Sequence, residues 1–97
     1  MAEIRFHPEA QEEYEAALAW YQARNPQAAA RFEAEMERVL GLMGDSPEMC
    51  PEYDDDFRFA VLRRYPYSVV FQVLPTHLYV IAVAHGARAT GYWHDRT

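Results

Sequence analysis

The stretch YSVVFQVLPTHLYVIAVAH, residues 67–85, contains two apolar runs, 67–74 and 77–85, separated only by Pro75 and Thr76. Both are dense in Val, Tyr, Phe and Ile, the residue types that fit a pleated, half-buried surface, and the connection is too short for anything but a hairpin. Two adjacent antiparallel strands are therefore predicted. Just upstream, Phe57, Phe59 and Val61 alternate with Arg58, Ala60 and Leu62 before Pro66 interrupts, which predicts a further strand. The segment GDSPEMCPEYDDD, residues 44–56, has two prolines, a glycine and three consecutive aspartates, and reads as an exposed loop.

Ahead of that loop the apolar period changes from two to about 3.6. Pro8 suits the first turn of a helix, with Glu9, Glu12 and Glu13 near its positive end. Ala10, Tyr14, Ala17, Leu18 and Tyr21 share one stripe, and Glu12, Glu13 and Glu15 read as a solvated face, giving a helix over 8–24. Asn25-Pro26 breaks it and opens a second helix over 26–43, with Ala29, Phe32, Met36, Val39, Leu40 and Met43 as its apolar stripe. Residues 2–6 read as a short first strand that His7-Pro8 ends, and Gly86 and Gly91 bracket a loop before the tail. The expected fold is α+β, in the order β-α-α-β-β-β. A helical hairpin packs on one face of a mainly antiparallel sheet, and residues 1–97 form one domain.

Hydrophobic residues make up 51% of the chain and charged residues 25%, as in ordinary globular domains, so wholesale disorder is excluded. No apolar run approaches the roughly 18 residues of a membrane span. The first ten residues lack a basic leader and an apolar core, so a cytoplasmic protein is expected. Cys50 stands alone and can form no internal disulfide. The net charge of −6 is unevenly divided: residues 1–56 hold fourteen acids against four arginines, residues 57–97 one acid against five arginines. Any contact with an anion is therefore expected in the second half. All nine cationic residues are arginine, the side chain suited to bidentate contacts with carboxylate or phosphate.

The closing stretch VAHGARATGYWHDR, residues 83–96, is the densest in chemistry. His85 at a strand end can transfer protons near neutral pH, Arg88 supplies a permanent charge, and Tyr92 and Trp93 offer aromatic faces. The plain alternative is that His85 caps a strand while Tyr92 and Trp93 dock the tail on the sheet. Arg58, Arg63, Arg64, Arg88, Trp93 and Arg96 form the candidate target- or anion-binding set, with the arginines expected to gather beside the 85–92 segment in one cationic hollow. Asp54, Asp55 and Asp56 lack the ligand spacing of a calcium loop, and His77, His85 and His94 are too far apart along the chain for a shared ion. No metal and no cofactor is expected.

In this order and spacing, FHPEA (6–10), AWY (19–21), RF (31–32), LRRYPY (62–67) and VAHGARATGYWHDR (83–96) resemble toxins of the RelE/ParE superfamily, the globular halves of type II toxin-antitoxin pairs. The YW pair is similar to the ParE-like plasmid-stabilisation branch. The resemblance implies a growth-inhibiting toxin, neutralised by a cognate antitoxin that contacts operator DNA on behalf of the pair. DNA gyrase is the implied target. The RelE-like alternative is a metal-independent, ribosome-dependent mRNA endoribonuclease, for which the resemblance would make His85, Arg64, Arg88 and Tyr92 catalytic. That branch's lysines are missing here and the chain is acidic, whereas a ribosome is a polyanion. A third alternative is a degenerate member that retains only antitoxin binding.

Overall fold

The computed structural model describes residues 2–96. Its elements are β1 (Ile4–Phe6), α1 (Pro8–Arg24), α2 (Pro26–Asp45), a 3-10 turn at Pro47–Met49, β2 (Arg58–Val61), β3 (Tyr67–Val73), β4 (Leu78–His85) and a last 3-10 turn at His94–Arg96. This is the expected order. α2 runs two residues beyond its predicted end, and a 3-10 turn lies within the predicted loop.

Local chemistry sets both helix starts. His7 caps α1, its Nδ1 accepting from the Glu9 amide at 3.0 Å, and Pro8 occupies the first turn, where its missing N–H costs nothing. Asn25 serves both helices. Its amide donates to Tyr21 O at 2.8 Å, closing α1, and its side chain accepts from the Gln27 amide at 2.9 Å, opening α2. With one residue between them, the helices must fold back as a hairpin.

The four strands lie in the order β1-β4-β3-β2. β2–β3 and β3–β4 are antiparallel, while β1 runs parallel to β4, pairing Ile4 with Leu78 and Phe6 with Val80. The first strand thus joins the last one, and the sheet is mixed. A bulge interrupts β4: Phe71 faces Val80 and Val70 faces Ala82, so Ile81 is the extra residue.

The two faces are covered differently. Beneath the helical hairpin lies the larger core, which includes Phe32, Met36, Val39 and Met43 of α2 and Val69, Phe71, Leu78, Val80 and Val83 of the sheet. The opposite face has a smaller core of Phe57, Val70, Ile81, Ala82 and Trp93. Trp93 is 3% exposed and packs edge-on to Phe57, with ring centroids 4.7 Å apart. The tail is therefore the cover of the second face.

Phe32 is fully buried and its ring centroid lies within 6 Å of those of Tyr14, Tyr21, Tyr65 and Tyr67, which ties both helices to the 62–67 turn. Truncating a buried phenylalanine removes both its transfer free energy and its packing. Phe32→Ala is expected to lower unfolding stability by about 3–5 kcal/mol in urea titration; a loss below ~1 kcal/mol would contradict this placement.

Candidate functional site

Because β1 stops at Phe6, it leaves part of β4 without a strand partner. The His7 amide reaches Val80 O at 2.8 Å, and there the chain turns into α1. Beyond that point the outward-facing Ile81 carbonyl and Val83 amide would be bare. Side chains take over: Arg96 Nη1 donates to Ile81 O at 3.1 Å, and Glu13 Oε1 accepts from Val83 N at 3.0 Å. Glu13 and Arg96 are also paired in a two-pronged contact at 2.9 and 3.0 Å. The Tyr92 hydroxyl donates to Glu13 Oε2 at 2.6 Å, and Arg96 Nε reaches Glu9 at 2.8 Å. One glutamate thus binds a helix, a sheet edge and the tail.

Its titration reflects this. Burial acts to raise the Glu13 pKa, but hydrogen bonds from Arg96, Tyr92 and the Val83 amide outweigh it and hold the carboxyl below its ordinary value. Burial, followed by the hydrogen bond to Glu13, pushes Tyr92 upward, so its hydroxyl keeps its proton. Glu13 is therefore no member of a solvated face, as the sequence reading had it. An acid three residues after buried Ala10 and four before buried Ala17 lies on the buried stripe, and that spacing was the available signal.

Beside this cluster, α1 and the far end of the β3–β4 hairpin enclose a groove of about 430 Å³. Its lining is mainly apolar, from Ala16, Trp20, Tyr21, Tyr67 and Val83, with His85 and Arg88 bringing polarity. Trp20 is 51% exposed, with the Arg24 guanidinium 3.6 Å above its ring. Sequence reasoning placed Trp20 in a motif and gave it no role. The His85 ring accepts at Nδ1 from the Ala87 amide at 3.0 Å, leaving Nε2 as the proton-bearing nitrogen. Arg88 stacks over Tyr92 at 3.9 Å and approaches Glu13 at 3.8 Å.

The expected single cationic hollow does not form. Arg58 is drawn to the 47–52 segment, donating to Cys50 O at 2.7 Å and Glu52 at 3.2 Å. Arg63 and Arg64 lie in the turn before β3 and line a separate groove with Arg31 and Arg38. Arg88 lines the α1 groove and also a smaller pocket with His85, Tyr92 and Trp93, and Arg96 is consumed by Glu9 and Glu13. Trp93, one of the candidate target-binding residues, is buried against the sheet, as the docking alternative has it. The arginines disperse because Arg58 is held by the 48–52 segment and Arg88 and Arg96 by Glu13, while Arg63 and Arg64 lie on the turn beside α2. Asp54 also departs from a free loop acid: it accepts from the Asp56 and Phe57 amides and pairs with His94 at 3.2 Å. Those contacts, the Asp56 amide first, lower its pKa, and His94 is raised by Gly91 O and by Asp54.

Arg64 adopts φ 66°, in the left-handed region. For a non-glycine residue this costs about 1 kcal/mol. The turn is held by Glu35, which accepts from the Arg63 amide at 2.6 Å while gripping Arg38 through two contacts of 2.8 Å. Arg38 first, then the Arg63 amide, depress the Glu35 carboxyl to about 2. Among the described residues, no three or more His, Cys, Asp or Glu side chains group to hold a metal ion, and no helix is long and apolar enough to cross a membrane.

Comparison with known proteins follows the same layout. The family model described as the ParE toxin of the type II toxin-antitoxin system parDE matches residues 4–90. A solved structure titled as the chromosomal ParDE toxin-antitoxin system from P. aeruginosa is similar in fold. Its TM-score is 0.72 at 17% identity, covering 88% of this chain and 96% of that one. No curated protein matches the chain.

Glu13 and Glu35 both have depressed pKa values, so each contributes stability that is present above the unfolded glutamate pKa and lost as pH falls through the folded value. Acid unfolding is expected to set in below about pH 4.5. Glu13→Gln should cost about 2 kcal/mol at pH 7 and flatten that decline. An unchanged acid limb in the variant would count against the network.

Proposed function

Because the chain belongs to the ParE toxin family of type II toxin-antitoxin systems, we propose that it is the toxin of such a module, that it inhibits DNA gyrase in the cytoplasm, and that a cognate antitoxin neutralises it. The match over residues 4–90 carries this proposal. The arrangement of the candidate residues supports a binding toxin over a ribonuclease. Arg64 lines a different groove from His85 and Arg88, and the Tyr92 hydroxyl is committed to Glu13. His85 Nδ1 is occupied by the Ala87 amide, so the ring lacks a free acceptor for a general base. Phosphodiester cleavage needs an acid, a base and charge stabilisation around one phosphate; His85, Arg88 and Tyr92 line one pocket, but Arg64 lies in another groove.

The α1 groove suits the antitoxin. Its apolar floor and the exposed Trp20 can receive the apolar face of an amphipathic helix, with Arg88 at one end to fix its orientation. An antitoxin seated there covers the exposed Trp20 and the apolar groove beside it.

Purified protein is expected to inhibit gyrase supercoiling of relaxed plasmid in a dose-dependent way. Prior mixing with the antitoxin encoded by the neighbouring gene should restore activity. Full supercoiling at a large molar excess of toxin would rule out the gyrase target, and inhibition that persists in the presence of the antitoxin would rule out neutralisation.

A further inference from the structure

The second groove, of about 430 Å³, lies between α2 and the turn before β3 and has no part in the reading above. Arg31, Arg38, Arg63 and Arg64 line it, with Glu35 its one acid. Arg31, Glu35 and Arg38 share one helical stripe at intervals of four and three residues. Glu33 and Glu37 fall on the other side of α2, where their charges raise the Tyr14 pKa on α1 after burial has done so. The stripe is thus locally cationic on a chain of net charge −6. At physiological salt, charges more than about 8 Å away are largely screened, so the distant acids do not cancel it.

Two further observations mark the groove as built for a ligand. Among the described residues, no carboxylate lies within 4 Å of the Arg31, Arg63 or Arg64 guanidinium, whereas Arg5, Arg38, Arg58, Arg88 and Arg96 are each paired with one. Arg64 also sits at φ 66°, where glycine would be relaxed, so a charged side chain is held in the groove at a backbone cost.

The shape of the cationic array selects the ligand. Arg31 and Arg38 are separated by about 10 Å along α2 at 1.5 Å per residue, with the turn arginines alongside. A row of charges fits an extended polyanion better than a single phosphate. Apolar anchorage for a peptide is slight, from Ala34 and the edge of Tyr65. The Tyr65 ring is half-buried and already packed by Tyr21 and Phe32 at 5.4 and 5.3 Å, and it is the one aromatic ring in the lining, so stacking of successive unpaired bases has little support here. We propose that this groove binds the phosphodiester backbone of duplex DNA without regard to sequence, giving the chain a DNA contact of its own. The inference does not depend on the gyrase reading, since it concerns the isolated chain and DNA.

The test is fluorescence anisotropy of the full chain with a labelled 20-base-pair duplex of arbitrary sequence at about 50–200 mM salt. Three unpaired arginines predict a log–log salt slope near about −2.7. Arg31→Ala and Arg64→Gly should each weaken binding and reduce the slope by about 1. Arg5→Ala, which removes equal charge elsewhere, should leave the slope intact. Arg64→Gly should melt no lower than the parent, since it relieves the left-handed backbone; Arg31→Ala, on an exposed helix face, carries the test independently. The proposal is overturned if the parent protein does not bind duplex at 50 mM salt, if both groove variants keep the parental slope, or if polyglutamate or single-stranded RNA binds as tightly as the duplex.

Discussion

Glu13 is the constraint on which the rest of the molecule depends. β4 is longer than the strand beside it, because Pro8 has no amide to extend β1 and instead opens α1. The exposed polar groups of a sheet edge are costly when covered without partners. Here the cover is a carboxylate from the first helix and a guanidinium from the tail, each bonded to β4 and to the other. The same contact thus seals an edge and anchors the tail.

Once Arg96 is fixed, the tail has little choice of path. Trp93 is drawn under the sheet against Phe57, Ile81 and Ala82, and Tyr92 is placed so that its hydroxyl reaches Glu13 and its face meets Arg88. The 86–92 loop is stretched between this anchor and the end of β4. One rim of the apolar groove beside Trp20 is therefore set by the Glu13 contact, since Glu13 and Arg88 both line it. The arginine groove has a parallel device in Glu35, which binds α2 to the turn before β3. In both places an acid from the helical hairpin is joined to a cation or amide of the sheet half. Two acids of the acidic half are thereby joined to the arginine-rich half.

The elements were legible in the sequence because their signals are local. Pro8, Asn25 and Pro26 mark helix ends by steric and capping chemistry that acts within three residues, and Val-rich runs around Pro75-Thr76 mark a hairpin by period and length. The parallel pairing of β1 with β4 was not legible, since it joins strands more than seventy residues apart, and the bulge at Ile81 was not, since both β3 and β4 are continuous apolar runs without an alternation to break. The site was harder still. His85 and Arg88 were placed in one groove by their proximity in sequence, but Arg58, Arg63, Arg64 and Arg96 were assigned by charge alone, and charge does not say which acid each will meet. Glu13 was misread because helical periodicity assigns polar residues outward unless a partner is known, and its partner lies 83 positions away.

The most direct measurement of the central contact is the hydrogen-exchange rate of the Val83 amide, followed by NMR. This amide faces the side of β4 where no strand pairs, so only the Glu13 carboxylate can protect it. Exchange as slow as that of its core neighbours in β4, and accelerated to edge-strand rates in Glu13→Ala, is the predicted result. Rapid exchange in the parent protein, or slow exchange that survives the substitution, would contradict the account.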